Sequence, residues 1–182
     1  LRRIKGGDFV GAYLQAKVRG RFFVLLPKEY ATEFPEYQAY FGVPLLLKKG
    51  IYGLTCSGKF WGQEFSEFLE KQGFTQSKAD PSFFVRHNND GTYIMLIFFV
   101  DDMLYFGSDD ATEQRFKRMV ASEFNITYQG DAQWFLQMRI HRYADGSYSL
   151  DQHRYAKMII QKFAPENAVY GIPLHRETPA PT

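Results

Sequence analysis

The fold class this sequence predicts is α+β: an antiparallel sheet with helices packed on one face. Two observations carry it. Apolar runs with strand character come in neighbouring pairs joined by turn residues, as hairpins do, and three other segments repeat their apolar residues at helical spacing. Length agrees, since 182 residues, 45% apolar and 18% aromatic, can build a sizeable core in one compact domain or two thin ones.

Taken in order, residues 20–26 (Gly-Arg-Phe-Phe-Val-Leu-Leu) read as a buried strand that Pro27 ends. Phe34-Pro35 and Val43-Pro44 then punctuate a loop-rich stretch with room for one short helix. From Ser57 to Gly73 the spacing turns helical, with Trp61, Phe65, Phe68 and Leu69 on one face and Gly73 as the stop. Residues 82–86 and 93–100 are two strands joined through His87-Asn88-Asn89-Asp90-Gly91, whose Asp-Gly pair favours a turn. Met103 to Phe106 offers another short strand. Asp109 or Asp110 caps a helix running to about Glu123, with Phe116, Met119, Val120 and Phe124 inward. Trp134 to Tyr143 and Ser147 to Leu150 form a second hairpin around Ala144-Asp145-Gly146. A last helix, Asp151 to Phe163, is lined on one side by Tyr155, Met158, Ile159 and Phe163. The tail, with Pro173, Pro179 and Pro181, is expected to be extended and mobile.

Composition narrows the function classes. The charge balance is 22 − 20 = +2, which advertises no global polyanion binder and argues against disorder. One cysteine, Cys56, excludes an internal disulfide framework and a cysteine-based zinc site. The longest apolar run, Tyr93 to Val100, is eight residues, far short of a membrane span. The first residues, Leu-Arg-Arg-Ile-Lys, carry no apolar signal region and no initiator Met; a soluble intracellular piece of something longer is expected. The near-neutral mean hides an asymmetry: residues 1–60 carry ten Lys/Arg against four Asp/Glu, and residues 61–182 twelve against sixteen. Arg2, Arg3, Lys5, Lys17, Arg19, Arg21, Lys48 and Lys49 supply most of the surplus and could follow a nucleic-acid backbone, although each alone reads as an ordinary solvated side chain.

The chemistry concentrates where the apolar run ends, at Phe99-Val100-Asp101-Asp102. A strand apolar on both faces is a buried one, and two adjacent carboxylates at its end repel each other and lose hydration. A cation should offset this. Successive strand residues point to opposite faces, so one Asp would face a cation directly while the other reached it from the turn. Hard oxygen ligands of this kind suit Mg²⁺ or Mn²⁺. Asp8, in Gly6-Gly7-Asp8-Phe9-Val10-Gly11-Ala12-Tyr13-Leu14, is the best further carboxylate, with an aromatic five positions on. An Asp-x-x-x-Ala-aromatic segment followed by an apolar strand ending in Asp-Asp is the layout of template-dependent polymerase palms.

The chain resembles the reverse transcriptase of Ty1/copia-type retrotransposons almost from end to end. Phe99-Val100-Asp101-Asp102 resembles that family's aromatic-Val-Asp-Asp box, and Asp8-Phe9-Val10-Gly11-Ala12-Tyr13-Leu14 its first catalytic box. Ile51-Tyr52-Gly53-Leu54 followed by Phe60-Trp61 matches its Tyr-Gly-Leu segment with a Trp seven residues after the Leu. Gly73-Phe74 with Asp80-Pro81 and Phe83, Phe124 with Gly130 and Phe135-Leu136, and Leu150-x-Gln152-x-x-Tyr155 continue the series in order. Cys56 stands where the family usually has Gln, Gly58 where it often has Pro or Ala, and Gln137 where it usually has Gly.

The resemblance implies a polymerase palm with partial fingers over residues 1–174, a fingers-like insertion at about 17–60, an approach to the thumb at about 147–174 and an extended tail at 175–182. It implies RNA-directed DNA polymerase activity, two-metal nucleotidyl transfer of dNTPs onto a primer 3′-OH, inactive as this isolated fragment. Asp8, Asp101 and Asp102 would be catalytic and hold two Mg²⁺ or Mn²⁺ ions. Tyr13 would lie beneath the sugar and select deoxynucleotides; Phe9, Tyr52, Gly53 and Lys59 would complete the nucleotide site. Trp61, Phe65 and Phe68 are read as core packing. Partners would be an RNA or DNA template with primer, dNTPs, and fingers, RNase H and integrase segments of a parent polyprotein, in a cytoplasmic virus-like particle or the nucleus, with no membrane. The alternative is a non-catalytic retrotransposon remnant or domesticated fragment that at most binds nucleic acid; another two-metal nucleotidyl-transfer or cyclase palm fits the Tyr52-Gly53-Leu54 and later boxes less well.

Overall fold

The apolar run becomes a strand near the middle of an antiparallel sheet. A computed structural model describes residues 2–163, and the chain divides into two units, residues 1–132 and 133–182. The sequence reading expected one run over 1–174; its tail, and the last part of its approach to the thumb, lie outside the described residues. In the first unit, β1 (Lys5–Phe9), β4 (Thr75–Gln76), β5 (Phe83–His87), β6 (Tyr93–Phe99), β7 (Asp102–Gly107) and β8 (Ile126–Asp131) form one sheet. Their order is β4-β5-β6-β7-β1-β8 with every pairing antiparallel. The β5–β6 hairpin and the β7 strand stand where the apolar pattern put them. Strands β1, β4 and β8 do not announce themselves: Gly6-Gly7 dilutes β1, and β4 and β8 are mostly polar and exposed.

Two longer helices, α3 (Ser57–Lys71) and α4 (Asp110–Ala121), cover one face of that sheet. Phe60, Trp61, Phe65 and Leu69 of α3 and Phe116 and Val120 of α4 share one core with Phe9, Phe84, Ile94, Leu96, Phe98, Met103 and Tyr105. The Asp109 carboxylate accepts the Thr112 N–H at 2.7 Å, which caps α4 where the sequence offered Asp109 or Asp110. Strand β6 differs from its reading as buried on both faces. Ile94, Leu96 and Phe98 are buried, Tyr93, Met95 and Ile97 on the other face are half-buried, and Phe99 is exposed, because both helices lie on the same side.

Between the one-turn helix α1 (Ala12–Gln15) and α3, the chain makes an excursion of β2 (Phe23–Val24), α2 (Lys28–Glu33), a 3-10 helix (Pro35–Tyr40) and β3 (Leu45–Leu46). Residues 20–26 are therefore not a buried strand. Only Phe23 and Val24 pair, with Leu46 and Leu45, and Phe23 and Leu25 are exposed because no layer covers this small ribbon. The loop-rich stretch holds two short helical pieces rather than one.

In the second unit, β9 (Trp134–Phe135), β10 (Met138–Arg142) and β11 (Tyr148–Asp151) form a three-stranded sheet, followed by α5 (His153–Phe163). The segment 134–143, read as one strand, is instead a hairpin turning at Leu136 and Gln137, both at positive φ (50° and 64°). A two-residue loop that joins twisted strands demands this conformation, and Gln137 adopts it where the family usually has Gly. The apolar side of α5 is not packed inward: Tyr155, Met158 and Phe163 are exposed, and the three strands bury only Phe135 and Ile140.

The far ends of β1 and β7 are tied together by charge. Glu113 of α4 is 1% exposed. Its carboxylate meets Arg2 Nη2 at 2.8 Å and Lys5 Nζ at 2.5 Å, and accepts the Gly107 N–H at 3.2 Å. Arg3 pairs with Asp131 in the open.

Two outcomes follow for stability, both measured by urea denaturation. Glu113→Ala should cost about 2–3 kcal/mol, because it removes the charged acceptor of the buried Gly107 N–H and of the half-buried Arg2 and Lys5, whereas Arg3→Ala at an exposed pair should cost under about 1 kcal/mol. Gln137→Gly should stabilise its hairpin by roughly 1 kcal/mol, the left-handed penalty of a residue with a Cβ less the entropy cost of glycine.

Candidate active site

β1 runs between β7 and β8, and its register with β7 sets Asp8 directly opposite Asp102. Directly paired residues of an antiparallel ladder have their Cα atoms only about 4.5–5.5 Å apart and point to the same face. Asp101 closes the group from the turn between β6 and β7. Its carbonyl accepts the Phe9 N–H at 2.7 Å, and its Oδ1 accepts the Ala12 N–H at 3.2 Å at the start of α1. Three carboxylates thus gather at one end of the sheet. The Asp8 carboxyl is pushed above the ordinary carboxylate range, first by burial and then by the negative charges of Asp102 and Asp101.

The turn that delivers Asp101 is strained. Val100 lies at φ 53°, a left-handed conformation that a β-branched side chain takes only where its surroundings impose it. Trp61 supplies part of that hold, since its indole N–H donates to the Val100 carbonyl at 2.8 Å. The sequence reading assigned Trp61 to the core, and its ring is there, stacked on Phe65 with centroids 5.5 Å apart. The polar role went unread, although a buried Trp generally finds a partner for its N–H. Gln15 was missed as well. Its Nε2 donates to the Val10 and Asn125 carbonyls at 3.0 Å and its Oε1 accepts the Asn125 N–H at 2.6 Å, which fastens α1 to the strand entering β8.

The other expected site residues fall in three places. Tyr13, on α1, and Tyr52, in the loop before α3, meet with ring centroids 5.1 Å apart. The Tyr52 phenol is raised above its ordinary value by burial, then by the charges of Asp101, Tyr13 and Asp8, so this exposed ring stands within the field of the carboxylates. Gly53 has φ +90° and nothing within 4 Å of where a Cβ would sit; its need for glycine is the turn itself, not a close approach. Lys59 lines a groove of about 630 Å³ along α3, with Gly58, Gln63 and Ser66 on one side and Phe99 and Val100 on the other. Phe9 is the exception. Its ring is 1% exposed and packs edge-on against Trp61 and Phe65 at 4.8 and 4.9 Å, because alternation along β1 turns it to the face opposite Asp8. Its side chain is core, which leaves only its backbone for any nucleotide contact.

The basic residues of the first third do not form one free surface. Arg2 and Lys5 meet Glu113, Arg3 meets Asp131, and Arg19 grips Glu67 through two bonds of 2.6 and 2.7 Å. Lys17 and Lys49 face each other across an isolated antiparallel bridge beside Lys48.

The family model described as reverse transcriptase (RNA-dependent DNA polymerase) matches residues 2–175. The chain belongs to that family. Among curated proteins it is similar to the retrovirus-related Pol polyprotein from transposon TNT 1-94 of Nicotiana tabacum, 28% identical over 67% of this chain and 9% of that polyprotein. It is also similar to the retrovirus-related Pol polyprotein from transposon RE2 of Arabidopsis thaliana, 28% identical over 81% of the chain and 10% of the polyprotein. The match therefore spans about a tenth of the length of these relatives. No solved structure matches. The resemblance to Ty1/copia-type reverse transcriptases stands, and by family the chain is an RNA-directed DNA polymerase segment. No described helix is long and apolar enough to cross a membrane.

In kind, the three carboxylates suit a hard divalent cation, and an ion would relieve the repulsion that raises Asp8. As they stand, no three His, Cys, Asp or Glu side chains among the described residues converge closely enough to hold one. The Asp101 carboxylate is engaged by the Ala12 N–H instead.

The pH dependence of stability has a definite sign. Because the folded-state value of Asp8 is raised, the native chain holds a proton that the unfolded chain has released, and stability falls as pH rises from the ordinary carboxylate value through the raised one. Asp8→Asn should therefore raise the melting temperature at about pH 7 and lose that advantage near pH 3, where Asp8 is protonated in both states. Paired thermal melts at the two pH values read the difference.

Proposed function

We propose that this chain is the palm, with part of the fingers, of a retrotransposon polyprotein polymerase that adds dNTPs to a primer 3′-OH on an RNA or DNA template. The observation that carries the reading is the register of Asp8 opposite Asp102 with Asp101 in the adjoining turn. Asp8, Asp101 and Asp102 would hold Mg²⁺ or Mn²⁺ after their side chains turn inward. Two such ions, when bound, supply in-line alignment of the attacking and leaving oxygens and neutralise developing charge.

The chain's own groups do the rest. The strained Val100 turn, held by Trp61, presents Asp101 at a fixed height above β1. Tyr13 would sit under the sugar, where a ring leaves no room for a 2′-hydroxyl, and Tyr52 would flank the incoming nucleotide. Lys59 would offer a single phosphate contact at the α3 groove, whose lining also carries Glu67 and Glu70 and is therefore no cationic track. Fingers, RNase H and integrase segments would come from elsewhere in the polyprotein, and competence belongs to a longer Pol segment, working in a virus-like particle or the nucleus.

Primer extension with a Pol segment that includes residues 1–182 tests this. Mg²⁺-dependent dNTP incorporation should vanish on Asp101→Asn while nucleic-acid binding persists. Extension that is unchanged by the substitution would sink the assignment. Salt-sensitive binding with no incorporation by the unaltered segment would favour a non-catalytic remnant.

A further inference from the structure

We propose that Ser57 is a positioning residue for nucleotide selection: it holds Tyr52 against Tyr13 without touching the nucleotide. The inference rests on the reading of Tyr13 and Tyr52 as nucleotide contacts. Ser57 is the first residue of α3 and 0% exposed, yet its side chain does not cap that helix. Its hydroxyl instead donates to the Ile51 carbonyl at 2.7 Å and accepts the Ile51 N–H at 3.1 Å. One buried oxygen thus satisfies both backbone groups of the residue just before Tyr52. Without it, the half-buried Ile51 N–H would lose this partner and the Ile51 carbonyl would keep only the longer bond from the Leu54 N–H at 3.4 Å, which is costly.

The far side of the same knot fixes Tyr13. Gly50 N–H donates to the Ala16 carbonyl at 3.0 Å, at the end of α1. A Cβ on Gly50 would stand 2.7 Å from the Tyr13 carbonyl oxygen and 3.1 Å from Ser57 Oγ, so the loop must be bare there for α1 and α3 to approach. The Tyr13 hydroxyl lies over Gly58, 3.6 Å from where a Cβ would project. Tyr52 is 57% exposed, on the loop whose turn Gly53 makes at φ +90°. Its ring stays beside Tyr13 because the residue behind it is bonded to the helix. Selection against a ribose then depends on Ser57, because a sugar fits or clashes according to where the two rings stand.

The test uses the longer Pol segment that includes residues 1–182, on a primer–template whose next template base is cytosine, unaltered and as Ser57→Ala and Ser57→Thr, titrated with dGTP and with GTP in Mg²⁺. Ser57→Ala should lower the preference for dGTP by about fivefold, the worth of roughly one net hydrogen bond, and should abolish the nuclear Overhauser contact between the Tyr13 and Tyr52 rings. Ser57→Thr, which keeps the hydroxyl, should retain both. In primer extension by the longer Pol segment, the Ser57→Ala change should appear in KM for the nucleotide, with kcat nearly constant. An unchanged preference with the ring contact intact in Ser57→Ala overturns this inference alone. A chain that binds neither nucleotide overturns the reading of the tyrosines, and this inference with it. Should Ser57→Ala not fold, amide exchange of the unaltered chain decides: a protected Ile51 N–H supports the bond to Ser57, and free exchange overturns it.

Discussion

One short strand carries two opposite demands. β1 must send Phe9 into the aromatic core beneath Trp61 and Phe65 and, one residue earlier, hold Asp8 opposite Asp102 on the other side. Alternation along a strand makes both possible at once, but only in a single register. A slip of one residue would bury the carboxylate and expose the ring. The register is held at the far end of the strand by Glu113 with Arg2, Lys5 and the Gly107 N–H, and at the near end by Phe9 N–H on the Asp101 carbonyl.

Around that strand the molecule spends stability on geometry. Three carboxylates crowd one sheet end, Val100 sits in a left-handed conformation, and an aromatic pair is exposed at the edge. Each is unfavourable by itself, and each is braced by a bond from a helix: Trp61 to Val100, Ser57 to Ile51, and the start of α1 to Asp101. Concentrated strain and like charge of this kind mark functional sites more often than structural ones. The aromatic core under α3 supplies the burial that offsets them.

Reading the chain by pattern worked where the pattern was local. The helical spacing of Trp61, Phe65 and Leu69, the Asp-Gly turn after β5 and the cap at Asp109 are decided within a few residues, and they stand as read. It failed where pairing is non-local. Strand β1 has glycines where apolar residues would announce it, and its partners β7 and β8 lie about a hundred residues away. Residues 20–26 look like a core strand, but find only a two-residue partner. The apolar stretch of β6 could not say that one of its faces would go half-covered, and Trp134 to Tyr143 concealed a turn because Leu136 and Gln137 carry no glycine.

The candidate site divides in the same way. From residue types and their order alone came the three carboxylates, the aromatic at position 13, the Tyr52-Gly53 turn and the family, since motif order survives without coordinates. Only the tertiary structure decided that Phe9 is core, that Arg2 and Lys5 serve Glu113 before any nucleic acid, and that Ser57, Gln15 and Trp61 hold the backbone around the site. The reason is physical. A carboxylate or an aromatic ring shows its chemistry in its identity, whereas a serine hydroxyl or an indole N–H acquires a role only from the carbonyl that folding brings within about 3 Å of it.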